Sequence, residues 1–206
     1  MIISEILKDK RHLMKLKFCD GTEFFLDKDI CADNALSKGM DLEQAQIAKL
    51  RYDSEYVRAK SRALWYLDRS DYTEKALFDK LVRAGFDKKA SAAVLARFAE
   101  LGLVDDRRFA ENFAERCGEC NISEREALHK MLQKGVPYDM AREVLNELDT
   151  DEISQIKSLV EKKYSYKLTL PDGAQKVFAA LARKGFSYSS IRQVLNEYIS
   201  EMCEEY

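Results

Sequence analysis

The side chains in this 206-residue chain that most resemble a reactive pair are Asp105 and Asp106, two adjacent carboxylates. Paired carboxylates can support acid–base or metal-assisted chemistry, but no third carboxylate, histidine or glycine-rich loop is placed to join them. The pair stands where a helical pattern begins, and a carboxylate there accepts backbone N–H groups at the positive end of the helix dipole. We therefore expect Asp105 or Asp106 to cap a helix, and Arg107 and Arg108 to pair with acids or face a partner.

Cys117 and Cys120 form a C-x-x-C pair, a pattern found in zinc sites and in thiol redox sites. Structural zinc needs four ligands, and the sequence has neither a second such pair nor paired histidines, with His129 the one histidine nearby. A redox site of the thioredoxin type needs a βαβ setting, whereas this region has a helical pattern. We expect two incidental thiols near a helix end, and we predict no catalytic residue, metal site or cofactor.

Aromatic and basic side chains are the remaining candidates for contact with a partner or with DNA. Trp65 and Tyr66 could stack on bases, but they lie on an apolar helix face and are expected to pack in the core or between repeats. For each basic residue taken singly, a solvated helix face is the ordinary explanation. The basic candidates are Arg58, Arg62, Arg69, Lys88, Lys89, Arg107, Arg108, Lys162, Lys163 and Lys167.

A helical pattern that recurs every 50 residues must position these side chains. Its three copies, which begin at residue 81 and then 50 and 100 residues later, read LVRAGFDKKASAAVL, MLQKGVPYDMAREVL and LARKGFSYSSIRQVL. Repetition at this period is typical of tandem units that stack on their neighbours. The glycines that align are Gly85, Gly135 and Gly185.

Each of these glycines is predicted to end one helix in the left-handed conformation that glycine adopts without strain. The associated motif needs an apolar contact across the turn, which the pairs Phe86–Leu81, Val136–Met131 and Phe186–Leu181 supply. Asp87 and Ser187 suit the N-cap of the helix that follows, and Pro137 suits its first turn. The upstream capping signals are Asp71-x-x-Glu74, Ser123-x-x-Glu126 and Asp172.

Another amphipathic helix precedes each of these pairs, at residues 57–69, 107–117 and 152–164, so each unit is predicted to contain three helices. The N-terminal segment differs: β-prone runs flank the turn Cys19-Asp20-Gly21, which indicates a small two- or three-stranded sheet. A short helix near 28–37, stopped by Gly39, and a longer amphipathic stretch from Asp41 lead to the first repeat. We predict a mostly α fold with an N-terminal β-hairpin module at 1–55 and three-helix repeats at 56–104, 105–149 and 150–206.

Composition supports this class and narrows the setting. The chain is 46% hydrophobic and 34% charged, with 2 prolines and 8 glycines, which favours a folded, helical protein. No apolar run is long enough to span a membrane, and the N-terminus carries charge too early for a secretory signal. We expect a cytoplasmic protein in which the thiols stay reduced. They are those of Cys19, Cys31, Cys117, Cys120 and Cys203.

The net charge of −2 excludes a strongly basic nucleic-acid binder, but the charge is unevenly distributed. Residues 56–104 carry ten Lys and Arg against six Asp and Glu, whereas residues 105–149 carry seven against eleven. The first repeat is therefore cationic and the second anionic, a polarity that could orient a partner of mixed charge.

Three segments resemble the core motifs of the RecX family, bacterial regulatory proteins that modulate the RecA recombinase. The resemblance covers roughly residues 56–206 and is sharpest in the Leu-Val-Asp-Asp-x-Arg-Phe-Ala element. The first 55 residues resemble the hairpin-bearing extension of some family members. The three segments are AKSRALWYLDRSDYTEKALFDKLVRAGF (59–86), LGLVDDRRFAENFAERC (101–117) and ALHKMLQKGV (127–136).

This resemblance implies a curved array of three-helix units that lodges in the groove of the RecA filament on single-stranded DNA. There it would inhibit the ATPase, coprotease and strand-exchange activities of RecA without being an enzyme, and a monomer suits such a groove binder. Weak direct contact with single-stranded DNA is a further expectation. The alternative is a helix-turn-helix-like nucleic-acid-binding regulator, which the acidic residues on helices 138–148 and 188–203 disfavour because phosphates would repel them.

Overall fold

The computed structural model describes residues 1–9, 12–148 and 150–204. The chain divides into two compact units, one spanning Met1–Val104 and the other running from Asp105 onward. The first unit contains the N-terminal sheet and the first helical repeat, and the second contains the other two repeats. This arrangement confirms the mostly α class with a small N-terminal β element.

The sheet has three antiparallel strands in the order β1 (Ile3–Lys8), β2 (Leu13–Phe18) and β3 (Glu23–Asp27). The turn between β2 and β3 forms where the Asp-Gly pair predicted it. Gly21 has a φ of 86°, and its backbone N–H donates to the Phe18 carbonyl oxygen at 3.0 Å. The Asp20 carboxylate accepts from the Thr22 N–H at 2.9 Å, which closes the turn.

Two helices cover the sheet and bury its apolar face. Helix α1 (Lys28–Asp33) ends earlier than the predicted helix near 28–37, since Asn34 caps it and Ala35 takes a φ of 48°. Helix α2 (Gln44–Leu67) then packs Ile47 and Leu50 against Leu16 and Leu26. The sheet is thus stabilised by helices, as a strand pair alone would not be in water.

Helix α2 also belongs to the first repeat, so it is longer than the predicted helix at 57–69. Residues 44–67 contain no glycine or proline to interrupt it, and the predicted domain boundary at 55/56 lies inside this helix. The buried Ser54 hydroxyl accepts from the Asp27 N–H at 2.7 Å and so fixes the end of β3 to the middle of α2. The sheet and the first repeat therefore share one continuous element.

The remaining helices form the repeats in chain order, with a short π-helical segment in the third. Repeat 1 adds α3 (Glu74–Arg83) and α4 (Lys88–Glu100) to α2. Repeat 2 contains α5 (Asp106–Glu119), α6 (Glu124–Lys134) and α7 (Tyr138–Glu147). Repeat 3 contains α8 (Glu152–Leu159), the π segment Val160–Tyr164, α9 (Ser165–Leu168), α10 (Gly173–Arg183) and α11 (Tyr188–Glu204).

The glycine turns between the last two helices of each repeat are confirmed. Gly85, Gly135 and Gly185 have φ values of 91°, 94° and 90°, in the left-handed region. In each repeat the N–H after the glycine donates to the carbonyl five residues earlier, which is the bond expected of this motif. These bonds join Phe86 to Leu81 at 3.2 Å, Val136 to Met131 at 3.1 Å and Phe186 to Leu181 at 3.4 Å.

The N-caps agree with the sequence at most positions. The carboxylate of Asp87 and the hydroxyls of Ser123 and Ser187 accept backbone N–H groups at the starts of α4, α6 and α11, as predicted. Pro137 lies one residue before α7 begins, at its N-cap.

Two capping predictions are wrong. Thr73, rather than Asp71, caps α3, because the fully buried Thr73 hydroxyl accepts the Ala76 N–H at 3.1 Å. Asp172 precedes α10 with a φ of 59°, and its side chain makes no capping bond.

Each repeat has its own apolar core built from equivalent positions. Leu81, Met131 and Leu181, at the ends of the middle helices, are fully buried. The last helix of each repeat contributes a buried valine to the same core, at positions 94, 144 and 194. The 50-residue period is therefore a period of core packing, which explains why it is visible in the sequence.

Candidate partner and nucleic-acid interface

Three of the predicted contact residues lie on one face of the α2 helix and its C-terminal turn. Arg58, Arg62, Trp65 and Arg69 are spaced by four, three and four residues, which places them above one another on a helix surface. The adjacent face carries Ala59 and Ala63, both fully buried. The repeat core thus holds the inner face of α2 and leaves the basic residues outside. We call Arg58, Arg62, Trp65 and Arg69 the α2 surface.

Trp65 does not pack in the core, which corrects the expectation drawn from the sequence. Its side chain is 45% exposed, because the indole projects from the outer face of α2, whereas Tyr66, the next residue, packs against the repeat-1 core. The Tyr66 ring meets the Trp65 ring edge-on, with centroids 5.3 Å apart. The pair therefore divides between surface and core.

Two guanidinium groups flank the Trp65 indole. Arg69 Cζ lies 3.6 Å from the ring centroid and Arg62 Cζ lies 5.4 Å from it, both within the range of cation–π attraction. Arg69 Nη1 also donates to the Trp65 carbonyl oxygen at 2.8 Å, which holds its guanidinium against the ring. The result is a flat aromatic surface with positive charge on it, exposed to solvent.

A groove of about 450 Å³ runs beside the α2 surface, between it and the sheet. Arg58, Arg62 and Trp65 line one side, and His12 and Asp27 line the other. Arg58 Cζ lies 5.8 Å from the Phe86 ring centroid, which closes the groove at the α3–α4 turn. Strands, helix and repeat turn thus meet at one place in the first unit.

A single carboxylate, that of Glu55, positions Lys88 and Lys89 next to the α2 surface. Glu55 accepts from Arg58 Nη1 at 3.1 Å and from the Asp87 N–H at 3.3 Å, so the start of α4 is held beside α2. Both lysines are exposed and follow Asp87 directly. Five predicted cations, Arg58, Arg62, Arg69, Lys88 and Lys89, therefore belong to one region of the first unit.

Arg107 has a different environment in the second unit. It donates to Glu143 and Glu147 on α7 and to Glu111 on its own helix, each at 2.9 Å. The hydrogen bonds that Arg107 donates to Glu143, then to Glu111 and Glu147, raise the pKa of its guanidinium. Its charge is balanced by these carboxylates within repeat 2, where its hydrogen bonds join α5 to α7. Little of its positive charge is therefore left for the predicted contact with a partner.

The other predicted contacts of the second unit lie on exposed helix surface. Arg108 is exposed at the start of α5, where the Asp105 carboxylate accepts its backbone N–H at 3.0 Å and confirms the predicted cap. Lys162 and Lys163 are exposed in the π segment, and Lys167 Nζ lies 5.5 Å from the Tyr164 ring centroid. These three lysines form a second basic group, in repeat 3.

The two cysteines of the C-x-x-C pair lie in different environments. Cys117 is buried in the repeat-2 core, and burial raises the pKa of its thiol, which disfavours the reactive thiolate. Cys120 is exposed at the C-cap of α5. Within the described part of the chain no three His, Cys, Asp or Glu side chains are grouped to hold a metal ion. The Cys203 thiol lies outside the described side chains.

The helices that would read DNA in the alternative interpretation carry engaged acids. Glu143 and Glu147 on α7 bind Arg107, and Arg142 on the same helix pairs with Glu124 at 2.6 Å. On α11, Glu197 pairs with Lys157 at 2.8 Å. Among their described side chains, α7 and α11 present no basic stripe of the kind that a major groove attracts.

Sequence reasoning missed the contacts that join repeats 2 and 3. Asn121 Nδ2 donates to the Ser158 hydroxyl at 3.2 Å, and the Ser123 hydroxyl donates to the Lys184 carbonyl oxygen at 2.5 Å. Within repeat 3, Glu152 accepts the N–H and hydroxyl of Ser187, both at 2.8 Å. The partners lie 35 or more residues apart, so no local spacing pointed to them.

None of the helices in residues 1–9, 12–148 and 150–204 has the length and hydropathy of a membrane span.

Comparison with known proteins identifies two of the three-helix repeats. Residues 59–98 match the model of the first three-helix domain of RecX, and residues 149–195 match that of the third. The regulatory protein RecX of Prosthecochloris aestuarii is 33% identical over 150 residues, covering 72% of this chain and 98% of the relative. That of Clostridium tetani is 26% identical over 204 residues, covering 95% of this chain and 92% of the relative.

Solved structures show the same fold. A crystal structure of regulatory protein RecX has a TM-score of 0.68 at 22% identity, covering 95% of this chain and 98% of the other. That of RecX from Lactobacillus salivarius has a TM-score of 0.62 at 21% identity, covering 69% and 96%. With the three-helix repeats, their glycine turns and a relative one-third identical over almost its whole length, this chain belongs to the RecX family of regulatory proteins.

Proposed function

We propose that the protein binds the RecA filament on single-stranded DNA and inhibits the ATPase, coprotease and strand-exchange activities of RecA. Membership of the RecX family is the observation that carries this proposal. It would act without catalysis, in the cytoplasm and as a monomer, and would thereby modulate recombination, DNA repair and the SOS response.

The α2 surface supports a contact with a polyanionic filament. It concentrates cations in the first unit, whereas the acids of α7 are occupied by Arg107. A nucleoprotein filament offers both phosphates and acidic protein side chains to such a surface. We propose Arg58, Arg62, Arg69, Lys88 and Lys89 as the contact residues in the first unit, with Lys162, Lys163 and Lys167 as a second group.

The inhibition would follow from repeats that bridge successive RecA protomers and resist the motions of ATP turnover. Each repeat presents its own last helix and turn at a 50-residue period, so one chain can contact more than one protomer of a filament that is itself periodic. Bridging then either blocks turnover or caps growth.

The salt dependence of filament binding tests this mode of contact. A protein–protein contact loses little affinity between about 50 and 200 mM salt, whereas a binder of six to ten phosphates loses about 10³- to 10⁵-fold. We expect a modest loss for preformed RecA filaments. Tight, sequence-dependent binding to one DNA duplex in the absence of RecA would instead support the helix-turn-helix-like alternative.

A further inference from the structure

Trp65 is the one tryptophan of the chain, and its environment is unusual for a residue of this size. Tryptophan is normally largely buried, yet here 45% of it is exposed. Its position on the outer face of α2 keeps it from the repeat core, and besides the Tyr66 ring at its edge, the guanidinium groups of Arg62 and Arg69 flank its ring. The indole is thus exposed to solvent, with one arginine three residues before it and another four residues after it in the chain.

An exposed indole beside two guanidinium groups favours a planar ligand that carries negative charge. Bases stack on aromatic rings and on arginine planes, and their phosphates pair with guanidinium groups. An acidic peptide would use the arginines but has no flat face for the indole. A DNA duplex offers phosphates, but the faces of its bases are already stacked on one another.

We propose that Trp65, Arg62 and Arg69 form a stacking site for an unpaired base of single-stranded nucleic acid, with Arg58 and the lysines at positions 88 and 89 contacting adjacent phosphates. Arg69 is held on the ring by its hydrogen bond to the Trp65 carbonyl oxygen, so the site is preorganised. The proposal names the nucleic-acid ligand of the α2 surface. It deepens the proposed function, but its test contains no RecA, so the two can fail separately.

Trp65 fluorescence tests the stacking directly, because no other tryptophan contributes. The full-length protein is titrated with an oligothymidylate of about 12 nucleotides, a length within the site sizes of single-strand binders, and with an abasic strand of equal length and charge. We expect quenching by the first and far less by the second. Equal quenching by both strands, or none by oligothymidylate, would overturn the proposal.

Three further probes define the ligand class. The matching oligouridylate separates DNA from RNA: quenching by both assigns the site to unpaired nucleotides of either kind, and quenching by oligothymidylate alone assigns it to DNA. The corresponding duplex is expected to quench weakly. A polyglutamate peptide that quenches as strongly as oligothymidylate would overturn the proposal in favour of an acidic protein ligand.

Variants separate stacking from charge, with binding followed by the anisotropy of labelled oligothymidylate. Trp65→Ala is expected to weaken binding about 5- to 150-fold, since stacking on one aromatic ring contributes about 1–3 kcal/mol. Trp65→Phe should recover part of this loss. The slope of log affinity against log salt should stay unchanged in both variants, because stacking releases no counterions.

Variants that remove positive charge should instead change the slope of log affinity against log salt. Replacing Lys88 and Lys89 together by alanine should reduce that slope by about 1.4, at about 0.7 per phosphate contact on a single strand. Leu64→Ala is the matched control for Trp65→Ala, since Leu64 is 43% exposed on the same turn of α2 and should bind like the wild type. Because Trp65 lies outside the core, its variants keep the far-UV circular dichroism of the fold. Wild-type affinity in Trp65→Ala would overturn the proposal.

Discussion

The Ser123 hydroxyl donates a 2.5 Å hydrogen bond to the carbonyl oxygen of Lys184, 61 residues further along the chain. The same hydroxyl oxygen accepts the Glu126 N–H at 3.2 Å and so caps α6. Ser123 is therefore a cap for repeat 2 and a tie to the glycine turn of repeat 3. One buried side chain thus couples the start of one repeat to the turn of the next.

Ser123→Ala should destabilise the second unit more than the loss of an ordinary cap does. The substitution removes a cap, at about 1 kcal/mol, and a hydrogen bond between repeats, at about a further 1 kcal/mol. Asp87→Ala is the control, because Asp87 caps α4 with no bond to another repeat through its carboxylate. Urea unfolding followed by circular dichroism measures both. Equal losses would show that the Ser123–Lys184 bond contributes nothing.

The glycine turns should differ in their tolerance of alanine. A Cβ at Gly85 would meet nothing within 4 Å, whereas one at Gly185 would lie 2.8 Å from Ser123 Oγ and 3.2 Å from Arg125 Cβ. Gly85→Ala should cost about 1–2 kcal/mol for its left-handed backbone, and Gly185→Ala about 1–3 kcal/mol beyond that for crowding.

A double-mutant cycle checks the cause of this difference. Gly185→Ala should cost less in the Ser123→Ala background, because the nearest of the atoms that the new Cβ meets is gone. Unfolding free energies from urea titrations supply the four corners of the cycle. Strict additivity would mean that Ser123 does not limit the space at this turn.

Glu152 should make the stability of repeat 3 depend on acidic pH. Burial would raise the pKa of its carboxyl, but hydrogen bonds from Ser190 and from the N–H and hydroxyl of Ser187 together hold that pKa below its ordinary value. A lowered pKa in the folded state stabilises the fold above the unfolded pKa near 4.3, and this contribution is lost as pH falls through the folded value.

Glu152→Gln is therefore expected to lower stability by about 1–2 kcal/mol at pH 7, a range kept low because solvent reaches the carboxylate. The difference from wild type should shrink as pH falls below about 4. Unfolding curves at a series of pH values measure it. A difference that stays constant down to acid pH would assign the effect to shape rather than to charge.

Arg62→Glu should weaken the inhibition of RecA if the α2 surface meets the filament. We expect the concentration for half-maximal inhibition of the ATPase to rise about tenfold, since reversing a charge at a contact with a polyanion replaces attraction by repulsion. Arg97→Glu makes the same charge change at an exposed position of α4 in the same repeat and should leave inhibition unchanged. The same loss in both variants would mean that net charge, rather than this surface, governs inhibition.

The repeats could be predicted from sequence because their determinants are local or periodic. A left-handed glycine, the apolar residue after it and the buried residue five positions earlier recur at a fixed interval, as Gly135, Val136 and Met131 illustrate. Each signal is contained within one turn of chain. No tertiary contact is needed to recognise it.

What the sequence did not show depends on distant contacts. Arg107 was a candidate cation for a partner, but its acceptors Glu143 and Glu147 lie 36 and 40 residues away. Thr73 and Asp71 are both good N-cap types, and burial selects Thr73. The sequence predicts that Trp65 packs in the core or between repeats because it lies on an apolar helix face, whereas the fold uses the alanine face of α2 for the core.

The single-stranded-DNA-dependent ATPase of RecA, titrated with this protein from far below equimolar concentrations upward, tests the proposed inhibition. We expect inhibition below one molecule of this protein per RecA, because a chain that bridges or caps protomers affects more than the one it touches. A RecA ATPase that is unchanged at several-fold excess, with the protein folded and RecA taken from the same organism, would contradict it.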